Sequence, residues 1–142
     1  MARLRHWPEG LPDNRSVVYH RWPKLCEELA LARGDERHPR LLKSLGRADL
    51  LILDDFGLEA LDAGARYDLL EILEERYGRR STIVTSQLPV TAWHDVIGDP
   101  TYADAVLDRL VHNAHRIELK GESLRRERGK QAKIGLTQNQ NR

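Results

Sequence analysis

The sequence predicts an α/β fold built on a parallel sheet with flanking helices. Three observations predict it. Leu50-Leu51-Ile52-Leu53 is an unbroken apolar run of strand length that ends in Asp54-Asp55, with Gly57 close behind, and a strand without polar alternation suits a sheet covered on both faces. Strand-like and helix-like stretches alternate along the whole chain, as parallel strands joined by helical crossovers require. The helical stretches also start and stop where crossovers need them, at Gly34, Asp62, Gly78 and Asp99-Pro100.

Taken in order, residues 1–14 hold two prolines and a glycine without periodicity, and read as loop or disorder. Ser-Val-Val-Tyr-His, within Arg15–His20, suits a first strand. Trp22-Pro23 closes it and opens a helix over Lys24–Arg33, with Leu25, Leu29 and Ala32 at helical spacing. A shorter helix runs from about Pro39 to Leu45 on the stripe Leu41, Leu42, Leu45. After the apolar strand, Asp62 is placed to cap a helix reaching Tyr77. Its stripe is read as Tyr67, Leu70, Leu73 and Tyr77, widened by Leu69 and Ile72. Arg66, Asp68, Glu71, Glu74, Glu75 and Arg76 are assigned to the remaining surface. Ser81–Gln87 forms the next strand, closed by Leu88-Pro89, and a turn over Thr91–Ile97 carries Trp93 as a packing residue. Asp99 and Pro100 start a helix to about Asn113 that buries Val106, Leu110 and Tyr102. His115–Leu119 alternates as a last strand, and Gly121 opens a basic tail.

With 142 residues, 40% hydrophobic and 32% charged, the chain has the size and composition of one globular domain. No apolar run approaches the ~18 residues that span a bilayer, and no apolar segment follows the N-terminal arginines as in a secretory signal. A cytoplasmic protein without membrane contact is expected. The single cysteine, Cys26, forms no internal disulfide and reads as a small packing residue. The net charge of +1 is unevenly spread. Residues 120–142 carry seven Lys/Arg against two Glu, a net +5, and the rest of the chain holds −4. Such a tail suits either DNA phosphates or simple solvation.

Ligands of open parallel sheets sit outside the carboxyl ends of the strands. One strand here ends in Asp54-Asp55, the next in Thr85-Ser86-Gln87, and a later helix carries Asp108-Arg109. Acids for Mg²⁺ and water, a polar group for the water or terminal phosphate, and an arginine for developing charge make a phosphoryl-transfer set. These groups are expected to converge on one triphosphate-shaped space. The plainer alternatives are acids that end a strand in solvent and an Arg109 held in a surface ion pair. His112 and His115 share a helix face without further ligands, and no Ser-His-Asp elbow occurs.

The segments LLILDDFG, RRSTIVTSQLP, IGDPTYADAVLDRL and HRIELKGESLRR resemble the IstB-like ATPases. These are helper proteins of insertion-sequence transposition, in the AAA+ P-loop class and related to bacterial helicase loaders. The resemblance runs from about Arg15 to Arg128. It implies that Asp54 is the Walker B aspartate supporting Mg²⁺, and that Asp55 is the water-activating acid, where the class commonly has Glu. Gln87, with Ser86 beside it, falls at sensor 1. Arg109 resembles the arginine finger, which acts on ATP bound by a neighbouring subunit, and Arg125 the later arginine that reads nucleotide state. ATP and Mg²⁺ are the implied cofactors. DNA, a transposase and further copies of the protein are the implied partners.

One departure stands out. The family's first strand and its GxxxxGK[ST] loop, expected before residue 15, are not in this sequence. No Gly-Lys-Ser or Gly-Lys-Thr occurs, and Gly129-Lys130 is followed by Gln131. That loop supplies the backbone nest, the lysine and the Mg²⁺-binding hydroxyl. The expectation is therefore an incomplete P-loop NTPase sheet of AAA+ type, with first strand and P-loop missing. An unrelated or disordered leader (1–14) is expected to precede a partial AAA+ ATPase core (15–119) and a basic, flexible tail (120–142), with weak or no ATP binding. The alternatives are a non-enzymatic DNA- or partner-binding remnant acting through the tail, or a fragment without activity. Val17–Tyr19, Leu50–Leu53 and Thr82–Thr85 are expected to form the sheet. His115–Leu119, without its usual neighbour, either joins Thr82–Ser86 or stays loosely attached.

Overall fold

The computed structural model describes residues 14–112 and 114–120. Its three strands, β1 (Val17–Arg21), β2 (Leu50–Asp54) and β3 (Ser81–Val84), are parallel and lie in that order, so the most apolar strand is central. The register sets Tyr19 beside Ile52 and Ile52 beside Ile83, and sets Arg21 beside Asp54. Parallel neighbours need crossovers. Helices α1 (Trp22–Ala32) and α2 (Arg37–Arg47) lead from β1 to β2, and α3 (Ala63–Arg76) leads from β2 to β3. A 3₁₀ turn (Val90–Ala92), α4 (Trp93–Ile97) and α5 (Pro100–Leu110) follow.

Local chemistry explains the boundaries. The Asp62 carboxylate accepts from the Ala65 N–H at 2.8 Å, and Asp99 accepts from Thr101 and Tyr102 at 3.0 and 3.1 Å. Both satisfy amides that a helix start leaves orphaned. Gly78 has φ +69° just past the end of α3, as a left-handed cap demands.

All the helices meet the sheet through one core. Leu51 and Leu53 of β2 are fully buried among Leu25, Leu29, Leu45, Leu69, Ile72 and Val106, with Val18 and Val84 packed against them. The opposite sheet face is different. Val17 and Ile83 on it are 41% and 47% exposed, and Leu50 and Ile52 are half-buried. The expectation of a strand covered on both faces is therefore corrected for the described residues. Apolar composition does not reveal whether the second cover is present.

Helix α3 also corrects the sequence reading. Its buried face is Asp68, Leu69, Ile72, Leu73 and Arg76, whereas Tyr67 and Tyr77 are 51% and 48% exposed. The buried spacing 69, 72, 73, 76 is helical, but its last place is taken by a charge. The Arg76 guanidinium donates to the Leu45 and Ala48 carbonyls at 2.7 and 2.6 Å, to the Thr82 hydroxyl at 2.9 Å, and to the Ser81 carbonyl. Asp68, equally buried, accepts from Arg33 at 2.5 Å and contacts His38 at 3.0 Å. A buried charge is tolerated when all its polar atoms are matched in this way.

The predicted last strand is not formed. Residues 114–120 are exposed and have no strand pairing, with Ile117 and Leu119 at 83% and 94% exposure. Alternation supplied the pattern, but among the described residues no strand lies alongside to accept its hydrogen bonds. Helix α5 likewise ends at Leu110, with Leu110 and Tyr102 only half-buried. The leader up to residue 13 and the tail beyond Lys120 lie outside the described residues.

Replacing Arg76 by Ala should destabilise the fold by about 3 kcal/mol or more, because three carbonyls lose their donor. Arg76→Lys should recover only part, since an ammonium lacks the planar fork. Urea denaturation followed by circular dichroism measures both, and an unchanged midpoint in Arg76→Ala would refute this role.

Candidate functional site

The carboxyl edge of the sheet is shaped by a reversal at the end of β2. Asp55 has φ +58° and Gly57 φ +88°. Aspartate tolerates the left-handed region better than most residues, at a cost of about 1 kcal/mol. Here the turn is held from β3. The Asp55 N–H donates to the Thr85 hydroxyl at 3.2 Å, and the Phe56 N–H to the Thr85 carbonyl at 2.9 Å. Phe56 is buried against Trp22 and Trp93, with ring centroids 5.8 and 4.9 Å away. The acids thus stand on an aromatic base shared by α1, the β2 turn and α4.

Each acid is gripped by a residue of β1. Tyr19 donates its phenol to Asp54 Oδ2 at 2.5 Å, while Thr85 donates its hydroxyl to Asp54 Oδ1. These two donors hold the Asp54 carboxyl below its ordinary pKa, Thr85 foremost, and the same bond raises that of Tyr19. Arg21 approaches Asp55 through Nε at 2.9 Å and Nη2 at 2.7 Å. The arrangement is a pair of adjacent carboxylates on an open edge, one of them fixed in its ionised form by neutral donors. Hard oxygen donors of this kind suit Mg²⁺, which needs one or two protein carboxylates when water and phosphate complete its shell. No cluster of three or more potential metal ligands occurs among the described residues.

The other expected residues are distributed differently. Ser86 is committed within the fold: its hydroxyl donates to the Phe56 carbonyl at 2.6 Å and accepts from the Leu88 N–H at 3.1 Å. Gln87 is exposed beside it, without a hydrogen-bond partner among the described residues. Arg109 does not join the acids. It donates to the Ala105 carbonyl at 2.9 Å and to Glu74 at 2.8 Å. It lines a hollow of about 220 Å³ with Gly78, Arg80 and Thr82, at the amino end of β3. Three residues of strand separate Thr82 from Thr85, roughly 10 Å. Convergence of the three groups on one space within a single chain is therefore corrected. Arg125 lies outside the described residues.

Sequence reasoning missed Tyr19 and Arg21, and passed over Thr85 for its neighbours. The residue types were visible, but only the register of β1 against β2 places a phenol and a guanidinium on those particular acids.

Comparison with known proteins bears on what this edge does. Residues 9–132 match the family model described as IstB-like ATP binding protein. A putative insertion sequence ATP-binding protein, y4pL of Sinorhizobium fredii, is 72% identical over 114 residues, covering 80% of this chain and 46% of that protein. The insertion sequence IS21 putative ATP-binding protein of Pseudomonas aeruginosa is 32% identical over 123 residues, covering 87% and 46%. The chain thus spans about half the length of these relatives. Among solved structures, the DnaC helicase loader superposes with a TM-score of 0.51 at 21% identity, covering 67% of this chain and 58% of that one. That likeness shows that the parallel sheet and its helical crossovers share the α/β fold of that loader.

Because the folded state holds Asp54 ionised more firmly than the unfolded chain, its contribution to stability is complete above the ordinary carboxylate value of about 4. It is lost as the pH falls through the lowered native value. Tyr19→Phe removes one donor, so the Asp54 titration should move up towards the ordinary value. Carboxyl ¹³C NMR reads this directly, and an unmoved Asp54 would show that the phenol has no such effect.

Proposed function

The chain belongs to the IstB-like ATP-binding protein family, and from that premise we propose that it is an AAA+-type helper of insertion-sequence transposition. The observation that supports this reading best is the carboxylate pair at the carboxyl edge of parallel strands, with Asp54 kept ionised by Thr85 and Tyr19. In this reading Asp54 would hold the Mg²⁺ of a bound ATP, through water or directly, on the carboxylate that Thr85 and Tyr19 orient. The ion would supply neutralisation of the phosphate charge. Asp55 orients the attacking water and accepts its proton, and the exposed Gln87 amide meets the water or the terminal phosphate.

Arg109 works across a subunit boundary. In one chain it faces Glu74, away from its own acids, so it serves a neighbouring copy by exchanging Glu74 for that copy's nucleotide. Arg125 reads nucleotide state further along the chain. The partners are other copies, DNA and a transposase, in the cytoplasm, with residues 15–119 as the ATPase core between leader and tail. No helix of the described residues is long and apolar enough to cross a membrane.

Residues 1–142 contain no Gly-Lys-Ser or Gly-Lys-Thr loop, and the phosphate nest such a loop builds is a large share of nucleotide affinity. This polypeptide by itself is proposed to bind Mg·ATP weakly or not at all. Isothermal titration calorimetry should give no micromolar binding; tight binding that vanishes in Asp54→Ala would overturn the proposal. The net +5 of residues 120–142 favours a second, non-enzymatic reading, in which the tail contacts DNA phosphates. An electrophoretic shift should then weaken steeply with salt and disappear on deleting residues 120–142, without ATP dependence. A shift retained by the truncated chain would remove the tail from consideration.

A further inference from the structure

The two acids of the carboxyl edge are held by chemically different partners. Residues two apart on a strand share a face, so β1 presents Tyr19 and Arg21 side by side, one to each aspartate. Asp54 receives neutral hydroxyls and has no direct ion pair among the described residues, Arg21 acting on it only through space. Asp55 is matched by a full guanidinium, with Nε and Nη2 of Arg21 both on Oδ2 at 2.9 and 2.7 Å. The Arg21 side chain is 58% exposed and that of Asp55 25%. Ion pairs this open add little to stability, so the contact is a poor candidate for a fold-holding bond and is cheaply exchanged. Among the described residues Arg21 Nη1 has no partner.

A polyphosphate approaching this edge meets two carboxylates and needs a cation. Arg80 and Arg109 are engaged at the opposite ends of the strands, with Asp49 and Glu74. Arg21 is the guanidinium already at the edge, aligned in register with Asp54. Phosphate offers a guanidinium the same forked geometry as carboxylate, with more charge. We propose that Arg21 is a phosphate-contacting residue. It grips Asp55 while the edge is empty and transfers to the terminal phosphate of a bound nucleotide, which frees the Asp55 carboxylate. The backbone of Asp55 need not move, because its N–H remains on the Thr85 hydroxyl. The inference rests on reading this edge as a nucleotide site, and it adds a contact residue and a way in which occupancy controls the second acid.

The test uses the full ¹⁵N-labelled chain and the Nε–Hε signal of Arg21. Without ligand the signal should exchange slowly with water, and Asp55→Asn should speed that exchange several-fold. Millimolar Mg·ATP, or pyrophosphate as a simpler probe, should shift the Arg21 signal together with the Asp55 amide. The affinity should fall about tenfold in Arg21→Ala and less in Arg21→Lys, with circular dichroism confirming that both variants fold. Shifts at the Asp54 and Thr85 amides with Arg21 unmoved would overturn this assignment and leave the nucleotide reading intact. No shift at any of these positions with either probe would overturn this assignment and agree with the reading in which this polypeptide by itself binds no nucleotide.

Discussion

The buried guanidinium of Arg76 is the contact on which the rest of the architecture depends. It leaves the end of α3 and reaches carbonyls at the end of α2, at the residue before Asp49 and at the first residue of β3. Those backbone groups sit where the chain enters the amino edge of the sheet, and buried carbonyls must be paired. One side chain therefore sets where β2 and β3 begin relative to the helix between them. Burial pulls its pKa down, but an arginine remains charged at any ordinary pH. Asp49 strengthens the same edge. It accepts from the Ser16 backbone and hydroxyl at 2.8 and 3.1 Å and pairs with Arg80.

A fixed amino edge has consequences at the carboxyl edge. Each strand is only four or five residues long, so the register set at one end is delivered almost unchanged to the other. There Tyr19 and Arg21 meet Asp54 and Asp55, and Thr85 meets both acids through its hydroxyl. The left-handed turn at Asp55 persists because Phe56, the next residue, is locked between two tryptophans. Core packing, turn geometry and carboxylate charge are in this way one connected system. Cys26 takes no part in it: burial pushes its thiol up to about 12, which keeps it protonated and unreactive.

Much of this was legible beforehand. The apolar run of β2, the caps at Asp62 and Asp99 and the left-handed stop at Gly78 each follow from one residue type in one place. The errors share a cause as well. Charge, the usual mark of a surface, points Arg76 and Asp68 to solvent, yet both complete a helical stripe. Their apolar bodies point Tyr67 and Tyr77 to the core, yet both are half-exposed. His115–Leu119 has the alternation of a strand, but alternation cannot supply a neighbour.

By itself the sequence determined the fold class, the order of the elements as far as α5, and the family, because each is written in local pattern or in contiguous motifs. Tertiary structure alone decided which partners the acids have, that Ser86 is spent on holding a turn, and that Arg109 stands at the far end of the strands from Asp54. The reason is physical. Contacts between residues thirty or more positions apart depend on strand order and register, and a period of two or 3.6 residues carries no information about either.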